Sequence, residues 1–341
     1  MQSMALLMFT SLMVSTRWGI ISAGKISHDF VTCLRSLRDH EVVVVAAMNV
    51  TNARKFALLH KIEKVLDNYD DMAKQDNIDI VYCGSLNPQH YTVVKHLLEN
   101  GKPVLCEKPL TMCLEHTEEL VKIARKNKTF LMEAIWSRFL PVYDELQKRH
   151  SEIGEIHSVE ASFGLAEIGG VDRVTKPELG GSSLLDIGIY VIHFAQLIFK
   201  DVYPSEIRAV GEITPDGVDV QTCISLKYPS GKLASLTTSV LADLPCEATV
   251  FGSKGKIKVH KPFWCPDSIE VNGKTETFPY PATIGPCNYV NSSGLRYEAI
   301  HVRDCLNNGL AESPILPLEA TLNMARIMQS CLDQMGAKLK I

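Results

Sequence analysis

The sequence predicts an α/β protein that begins with a doubly wound parallel sheet and continues into an α+β domain with an open, mainly antiparallel sheet. Three observations predict this fold class. Between residues 17 and 133, short apolar runs alternate with segments of helical periodicity. After residue 136, strand-like runs follow one another and helical patterns return only near the end. A chain of 341 residues is also longer than one hydrophobic core usually extends, so two domains are expected.

The first half of the chain contains five predicted strands that are apolar on both faces. Helical segments, with apolar residues three and four positions apart, separate these strands. The pattern is typical of a parallel Rossmann sheet whose helical crossovers are right-handed and cover both faces. The predicted strands are Trp18–Ser22, Val42–Met48, Ile78–Cys83, Pro103–Cys106 and Thr129–Glu133.

The second half has a different pattern. A helical stretch at residues 141–150 and a strand at 156–163 precede a predicted helix at 187–199. Several runs between residues 207 and 278 alternate polar and apolar side chains, which predicts an antiparallel sheet with one covered face. We therefore place the domain boundary near residue 135, with one domain over residues 16–135 and the other over 136–341.

The composition favours a cytosolic protein without metal or nucleic acid. The formal net charge is −4, and no cluster of lysines and arginines is dense enough to follow a phosphate backbone. The ten cysteines are irregularly spaced, which is typical of reduced thiols. No cysteine or histidine pair has zinc-site spacing, so no metal is expected.

Residues 1–15 are interpreted as an N-terminal extension. The run from Met4 to Val14 is apolar, but it lacks the basic start and the cleavage site of a secretory signal. It is also much shorter than the ~20 apolar residues that span a membrane. We expect neither secretion nor membrane insertion.

The first predicted strand runs into the sequence Ser-Ala-Gly-Lys-Ile-Ser at residues 22–27, followed by a helix. A dinucleotide turn occupies this position in Rossmann domains, because small residues let the backbone approach a pyrophosphate at the helix N-terminus. Only one glycine of the usual pattern is present, so an ordinary strand-to-helix turn is equally compatible with these residues. The candidate cofactor contacts are Ser22, Gly24, Lys25 and Ile26.

The second predicted strand ends at Met48 and Asn49, where NAD-binding domains usually carry a carboxylate for the ribose hydroxyls. No carboxylate stands there to repel a 2′-phosphate. Arg54 and Lys55 follow within a turn and could bind that phosphate, or they are solvated helix residues. The residues favour NADP and leave NAD as the alternative.

Two polar loops follow later strands of the first domain. One carries Ser85, Asn87 and His90, at the edge where parallel sheets bind ligands; His90 is either a ligand contact or an ordinary residue of a helix start. The other carries Glu107 and Lys108 directly before a proline, which ends the strand and directs the lysine outward.

In the second half, Asp186 and Tyr190 are four residues apart and share one face of a predicted helix. From the residues alone, two interpretations remain. The pair belongs to a catalytic site, or the carboxylate complements the helix dipole and the tyrosine belongs to the core.

The order of these motifs resembles the Gfo/Idh/MocA family of oxidoreductases from Arg17 onward. The resemblance is most specific in the strings MEAIWSRF (132–139), LLDIGIY (184–190) and FWCP (263–266). These strings are similar to members that oxidise trans-dihydrodiols or aldopentoses such as D-xylose. The resemblance implies a first domain that binds NADP, and a second that binds a small diol or sugar and forms a homodimer.

The resemblance also implies roles for individual residues. Lys108 matches the catalytic lysine, Asp186 the active-site aspartate, and Tyr190 stands where the family has its acid/base residue. We expect Lys108 to lower the pKa of Tyr190 so that the phenol can accept a proton. The arginines that hold the 2′-phosphate in such enzymes are not matched at Met48 and Asn52. The implied aromatic wall of the substrate pocket is Trp136, Phe163, Trp264 and Tyr289.

Two other functions remain compatible with the sequence. One is a different sugar or polyol dehydrogenase of the same family, which Tyr190 in place of the more common histidine disfavours. The other is a non-enzymatic NAD(P)-binding regulator, which would not need Lys108, Asp186 and Tyr190 together. Hydrolase and kinase functions lack their motifs.

Overall fold

A computed structural model describes residues 15–341. The predicted N-terminal extension therefore lies outside the described residues, apart from its last position. The first part of the described chain forms a six-stranded parallel sheet in the order β3-β2-β1-β4-β5-β6, which confirms the doubly wound prediction. Its strands are β1 (Thr16–Ile21), β2 (His40–Ala46), β3 (Lys64–Leu66), β4 (Ile80–Cys83), β5 (Val104–Glu107) and β6 (Leu131–Ala134).

Four helices connect these strands. Their apolar faces are buried, as the sequence periodicity predicts. The strand order reverses between β1 and β4, and at such a reversal the crossovers leave opposite faces of the sheet and open a crevice at the carboxyl ends. The helices are α1 (Lys25–Leu34), α2 (Val50–His60), α3 (Asn87–Glu99) and α4 (Leu114–Asn127).

The second part of the chain forms an eight-stranded sheet in the order β14-β13-β12-β11-β7-β10-β9-β8. β7 and β10 pair in parallel, and the other neighbours pair antiparallel, so the prediction of a mainly antiparallel sheet is confirmed. Its strands are β7 (Ile156–Gly164), β8 (Glu206–Ile213), β9 (Asp219–Lys227), β10 (Leu233–Ser239), β11 (Ala248–Gly252), β12 (Gly255–Val259), β13 (Ser268–Val271) and β14 (Lys274–Thr277).

One face of this sheet is covered by helices, and β9 accordingly alternates buried and exposed residues. A π-helical turn at Leu184–Gly188 leads directly into α7, so the predicted helix begins earlier than the sequence periodicity indicated. The last helix contacts α4 and β6 of the first sheet as well as α7 and β8, and it joins the two halves of the protein. The helices are α5 (Pro141–Lys148), α6 (Asp172–Thr175), α7 (Ile189–Ile198), α8 (Leu295–Asn307) and α9 (Leu318–Met335).

Within the described residues, the segment Pro177–Ile198 is long and apolar enough to cross a membrane by length and composition. Its most apolar stretch is completely buried inside the protein, so it forms part of the core beneath the second sheet. This segment also carries Asp186 and Tyr190, and the core therefore fixes the position of both side chains.

Candidate active site

The crevice at the carboxyl ends of β1, β4 and β5 contains two pockets. The larger one, of about 420 Å³, is lined by residues of both halves of the chain. Most of the residues predicted from the sequence meet in this pocket. They are Ile26, Ser85, Asn87, His90, Glu107, Lys108, Trp136, Phe163, Asp186, Tyr190, Trp264 and Tyr289.

Asp186 joins the two halves of the site. The ammonium of Lys108, at the end of β5, donates to the main-chain oxygen of Asp186 and lies 3.2 Å from its Oδ1. Arg173 Nη1 donates to the same Oδ1 at 2.5 Å. One carboxylate oxygen therefore binds two cations, which leaves a net positive charge beside the pocket.

The environment of Asp186 keeps its carboxylate ionised. Burial raises the pKa of Asp186, but the charges of Lys108 and Arg173 and their hydrogen bonds outweigh it, so the pKa lies below its ordinary value. Asp186 is therefore an anchor for cations at neutral pH and not a proton donor.

Tyr190 has its phenol at the wall of the pocket, 2.9 Å from the indole nitrogen of Trp136, which donates to it. Lys108 Nζ lies 5.1 Å from the centre of the Tyr190 ring. Burial raises the pKa of Tyr190 well above its ordinary value, the charge of Glu107 adds to this, and the bond from Trp136 lowers it in part. The expectation that Lys108 lowers the pKa of Tyr190 is wrong for this arrangement, because the ammonium is bound to Asp186 and faces the ring.

An aromatic wall faces these polar groups. Phe163 and Trp264 stack with ring centres 3.8 Å apart and planes 11° apart, and Phe163 lies 5.9 Å from the Tyr190 ring. Tyr289 is 42% exposed and stands at the opening. The pocket is thus apolar on one side and hydrogen-bonding on the other, as ligand pockets for small amphiphilic molecules are.

The second pocket, of about 330 Å³, lies beside the start of α1 and is lined by Gly24, Lys25 and Lys55 among others. Arg54, of the described residues, is exposed and lines neither pocket. It directly precedes Lys55 on α2, so its side chain points in a different direction around the helix. Asn49 caps α2 by accepting from the main chain of Asn52.

The turn before α1 fits a dinucleotide. Ser22 has a φ of 80°, in the left-handed region that favours glycine, and Gly24 begins the helix in extended conformation. Within the described residues, no side chain caps this helix, so its first main-chain N–H groups are available to a pyrophosphate. A side chain at position 24 would meet Ser22 Oγ at 3.3 Å and cover that approach.

His90 is completely buried, and its ring contacts two main-chain oxygens. Nδ1 lies 2.8 Å from the oxygen of Pro109, and Nε2 lies 3.0 Å from that of Ser85. The ring therefore joins the loop after β4 to the turn that carries Lys108. This contact supports the lysine's position, although His90 also borders the pocket.

Several pocket residues lie in stretches without a recognisable motif. Arg173 belongs to the segment 165–179, which crosses the pocket opening, and Asn288 belongs to a loop before α8 that borders both pockets. Arg173 lies in the four-residue helix α6, which is too short for a periodicity to mark it, and Asn288 lies outside any helix or strand. The proximity of Arg173 to Asp186 comes from chain folding over 13 residues.

Comparison with known families identifies both halves of the chain. Residues 16–135 match the oxidoreductase family with an NAD-binding Rossmann fold, and residues 148–258 match the GFO/IDH/MocA C-terminal domain.

Individual relatives agree with the family match. The chain is 44% identical to trans-1,2-dihydrobenzene-1,2-diol dehydrogenase of Xenopus tropicalis, over 95% of this chain and 99% of that protein. It is 37% identical to the Homo sapiens protein of the same name, over 95% and 98%. Among solved structures it resembles KijD10, a 3-ketoreductase from Actinomadura kijaniata in complex with NADP and TDP-benzene, with 25% identity, a TM-score of 0.77, and coverage of 94% of this chain and 97% of that one.

Substitutions at two adjacent glycines, Gly169 and Gly170, test how the segment that carries Arg173 packs. A Cβ at Gly169 would stand 2.4 Å from the main-chain oxygen of Val240, whereas nothing lies within 4 Å of one at Gly170. We expect Gly169→Ala to reduce the free energy of unfolding by about 1–3 kcal/mol, because the segment is forced away from β10. Gly170→Ala should stay within about 0.5 kcal/mol of wild type. Urea unfolding of both variants measures this, and equal stability would contradict the packing.

Proposed function

The chain belongs to the Gfo/Idh/MocA family of oxidoreductases, and we propose that this enzyme oxidises a trans-dihydrodiol or an aldopentose such as D-xylose by hydride transfer to NADP. The observation that carries the proposal is the meeting of Lys108 and Tyr190, from different halves of the chain, in one aromatic pocket. The names of the relatives support a diol substrate.

The pocket suits a ring with adjacent hydroxyl groups. The stacked pair of Phe163 and Trp264 offers a flat apolar surface to an unsaturated carbocycle or to the C–H face of a sugar. Lys108 and Arg173, both bound to Asp186, offer N–H donors to neighbouring oxygens at the other side. We infer that Asp186 orders these two donors and that the aromatic pair orients the ring.

The nicotinamide, when bound, accepts the hydride, and the protein has to bind the substrate and move one proton. Trp136 donates to Tyr190, so the phenol's own proton is directed to another acceptor, which we infer to be the substrate oxygen. Tyr190 then gives this proton to a carbonyl during reduction and takes it from the hydroxyl during oxidation. Lys108 holds the same oxygen through its ammonium.

Replacing the ammonium tests the assignment of Lys108. We expect Lys108→Met to lower kcat/KM for the diol by orders of magnitude, since the substrate oxygen loses its charged donor. Binding of the cofactor, measured by NADPH fluorescence, should survive because the second pocket is unchanged. Near-normal turnover by the variant would defeat the assignment.

The raised pKa of Tyr190 predicts different pH dependences for oxidation and for reduction. Oxidation needs the deprotonated phenol, whose fraction increases with pH below the pKa, so kcat/KM for oxidation should rise through the alkaline range. Reduction uses the protonated phenol and should be flat through neutral pH. Trp136→Phe removes the hydrogen bond that favours the phenolate. The rise of kcat/KM for oxidation should therefore occur at higher pH in this variant than in wild type. Tyr190→Phe should abolish the rise, and a profile that Tyr190→Phe leaves unchanged would exclude the phenol.

We propose NADP as the preferred cofactor because Lys25 and Lys55 both line the second pocket, where the adenosine half of a dinucleotide would lie. A titration should show tighter binding of NADPH than of NADH. Lys55→Ala should weaken NADPH by about tenfold, since a phosphate loses a charge-assisted bond, and leave NADH unchanged. Equal loss for both nucleotides would contradict a 2′-phosphate contact.

We propose that the enzyme is a homodimer joined through the uncovered face of the second sheet. Towards its β8 edge this face carries uncharged, exposed side chains, including Gln221, Cys223 and Ser225 of β9 and Val210 of β8. Light scattering should give twice the chain mass of 37.8 kDa. Cys223→Arg should yield a monomer, whereas Asn308→Arg, away from the sheet, should not. A monomeric wild-type protein would overturn the proposal.

The ten cysteines are free thiols in the structure. Most of them are buried, as expected of a protein that folds in a reducing compartment. They support a cytosolic location for the proposed enzyme.

A further inference from the structure

A loop of the second half returns to the first helix of the Rossmann domain. This loop, residues 282–292, is called the strap below. Hydrogen bonds hold both ends of the strap: Arg296 Nη2 donates to the oxygen of Ala282 at 2.8 Å, and Cys33 Sγ donates to that of Ser292 at 3.1 Å. Its middle is attached to α1 and the turn after it at two peripheral points, where the N–H of Ile284 donates to Ser36 Oγ at 3.2 Å and His28 Nε2 lies 3.0 Å from the oxygen of Pro286.

The main attachment of the strap is Asp29 on α1, whose side chain is completely buried. Its carboxylate accepts three hydrogen bonds from the strap. The main-chain N–H and the side-chain amide of Asn288 donate to Oδ1, both at 2.8 Å, and the N–H of Tyr289 donates to Oδ2 at 2.9 Å. Such bonds to a charged acceptor are roughly twice as strong as neutral ones. The middle of the strap therefore depends mainly on this one carboxylate.

Asn288 stands between the two pockets and lines both. Its side-chain amide also lies 3.3 Å from the main-chain oxygen of Lys25, in the turn before α1. A dinucleotide places its pyrophosphate over that helix start and its two halves on either side. A cofactor that occupies both pockets has to pass directly beneath Asn288.

The rest of the strap contributes little packing. Ile284 and Val290 are 56% and 53% exposed, and Asn288 itself is exposed. Segments with few buried apolar contacts open at low free-energy cost. Opening of the middle of the strap is therefore governed mainly by the hydrogen bonds to Asp29.

We propose that the strap closes over the dinucleotide, that Asn288 is a positioning residue for the cofactor, and that cofactor exchange requires the strap to leave Asp29. The inference rests on the proposed nicotinamide cofactor. It predicts that weakening the attachment accelerates release of the cofactor without unfolding the protein.

The test follows dissociation of NADPH by stopped-flow fluorescence, with preloaded enzyme chased by excess NADP. Asn288→Ala removes two hydrogen bonds, one of them to a charged group, and should increase the dissociation rate about tenfold or more. Asn308→Ala is the matched control, because that amide donates to a main-chain oxygen at the far end of α8. Its rate should stay within twofold of wild type.

Asp29→Asn distinguishes the effect of loosening the strap from the effect of removing a negative charge near the cofactor. Removing a negative charge beside the pyrophosphate would by itself slow release, whereas loosening the strap accelerates it. We expect acceleration, with an unchanged melting temperature in Asn288→Ala as evidence that the fold is intact. Dissociation rates within twofold of wild type in Asn288→Ala, or slower release in Asp29→Asn, would overturn the strap proposal. A wild-type protein that binds neither NADPH nor NADH would instead contradict the proposed function.

Discussion

The carboxylate of Asp186 is the contact on which the geometry of the candidate site depends. It belongs to the buried π-helical turn before α7, yet it binds the ammonium of Lys108 from the first sheet and the guanidinium of Arg173 from the segment over the pocket. A buried charge without its partner is costly, so each of these groups holds the others in place. The site is thereby assembled from three segments of the chain, of which that carrying Lys108 is 78 residues from Asp186 and that carrying Arg173 is 13 residues from it.

Around Asp186, the protonation state of each buried titratable group depends on whether nearby cations compensate its burial. Asp186 remains ionised because two cations compensate its burial. Burial raises the pKa of Tyr190 and of the carboxyl of Glu298 well above their ordinary values, and the charge of Glu107 adds to both. Glu133, also buried, has a pKa of about 7. The pocket thus offers a fixed positive side and a protonated phenol, which is the division of roles that proton exchange with an alcohol requires.

The sequence predicts those features that depend on local chemistry. Apolar runs with helical spacing between them give the parallel sheet, and the strand ends give Lys108 and Ser85 at one edge. The sequence predicts five strands for the first sheet and does not predict β3. This strand has only three residues, too few for an apolar run to be recognised. The resemblance to the family places Trp136, Phe163 and Trp264 in the pocket, which no periodicity would have done.

Other features arise only from folding. Arg173 reaches the site from the short helix α6 and Asn288 from a loop, and the path of both segments depends on tertiary packing. Lys55 rather than Arg54 faces the second pocket because of the rotation of α2. The pKa of Tyr190 is opposite to the expected direction because it depends on burial and on where the ammonium is bound. Electrostatics of this kind cannot be inferred without the distances between groups.

A double-mutant cycle on Lys108 and Asp186 tests the central contact most directly. The free energy of unfolding would be measured for wild type, Lys108→Met, Asp186→Asn and the double variant in urea at pH 7. The structure predicts a coupling energy of about 1–3 kcal/mol, because Lys108→Met leaves Asp186 with Arg173 alone and Asp186→Asn leaves the ammonium of Lys108 without its carboxylate in a buried site. Additive effects, within about 0.3 kcal/mol, would show that the two groups do not interact and would contradict the central role of this ion pair.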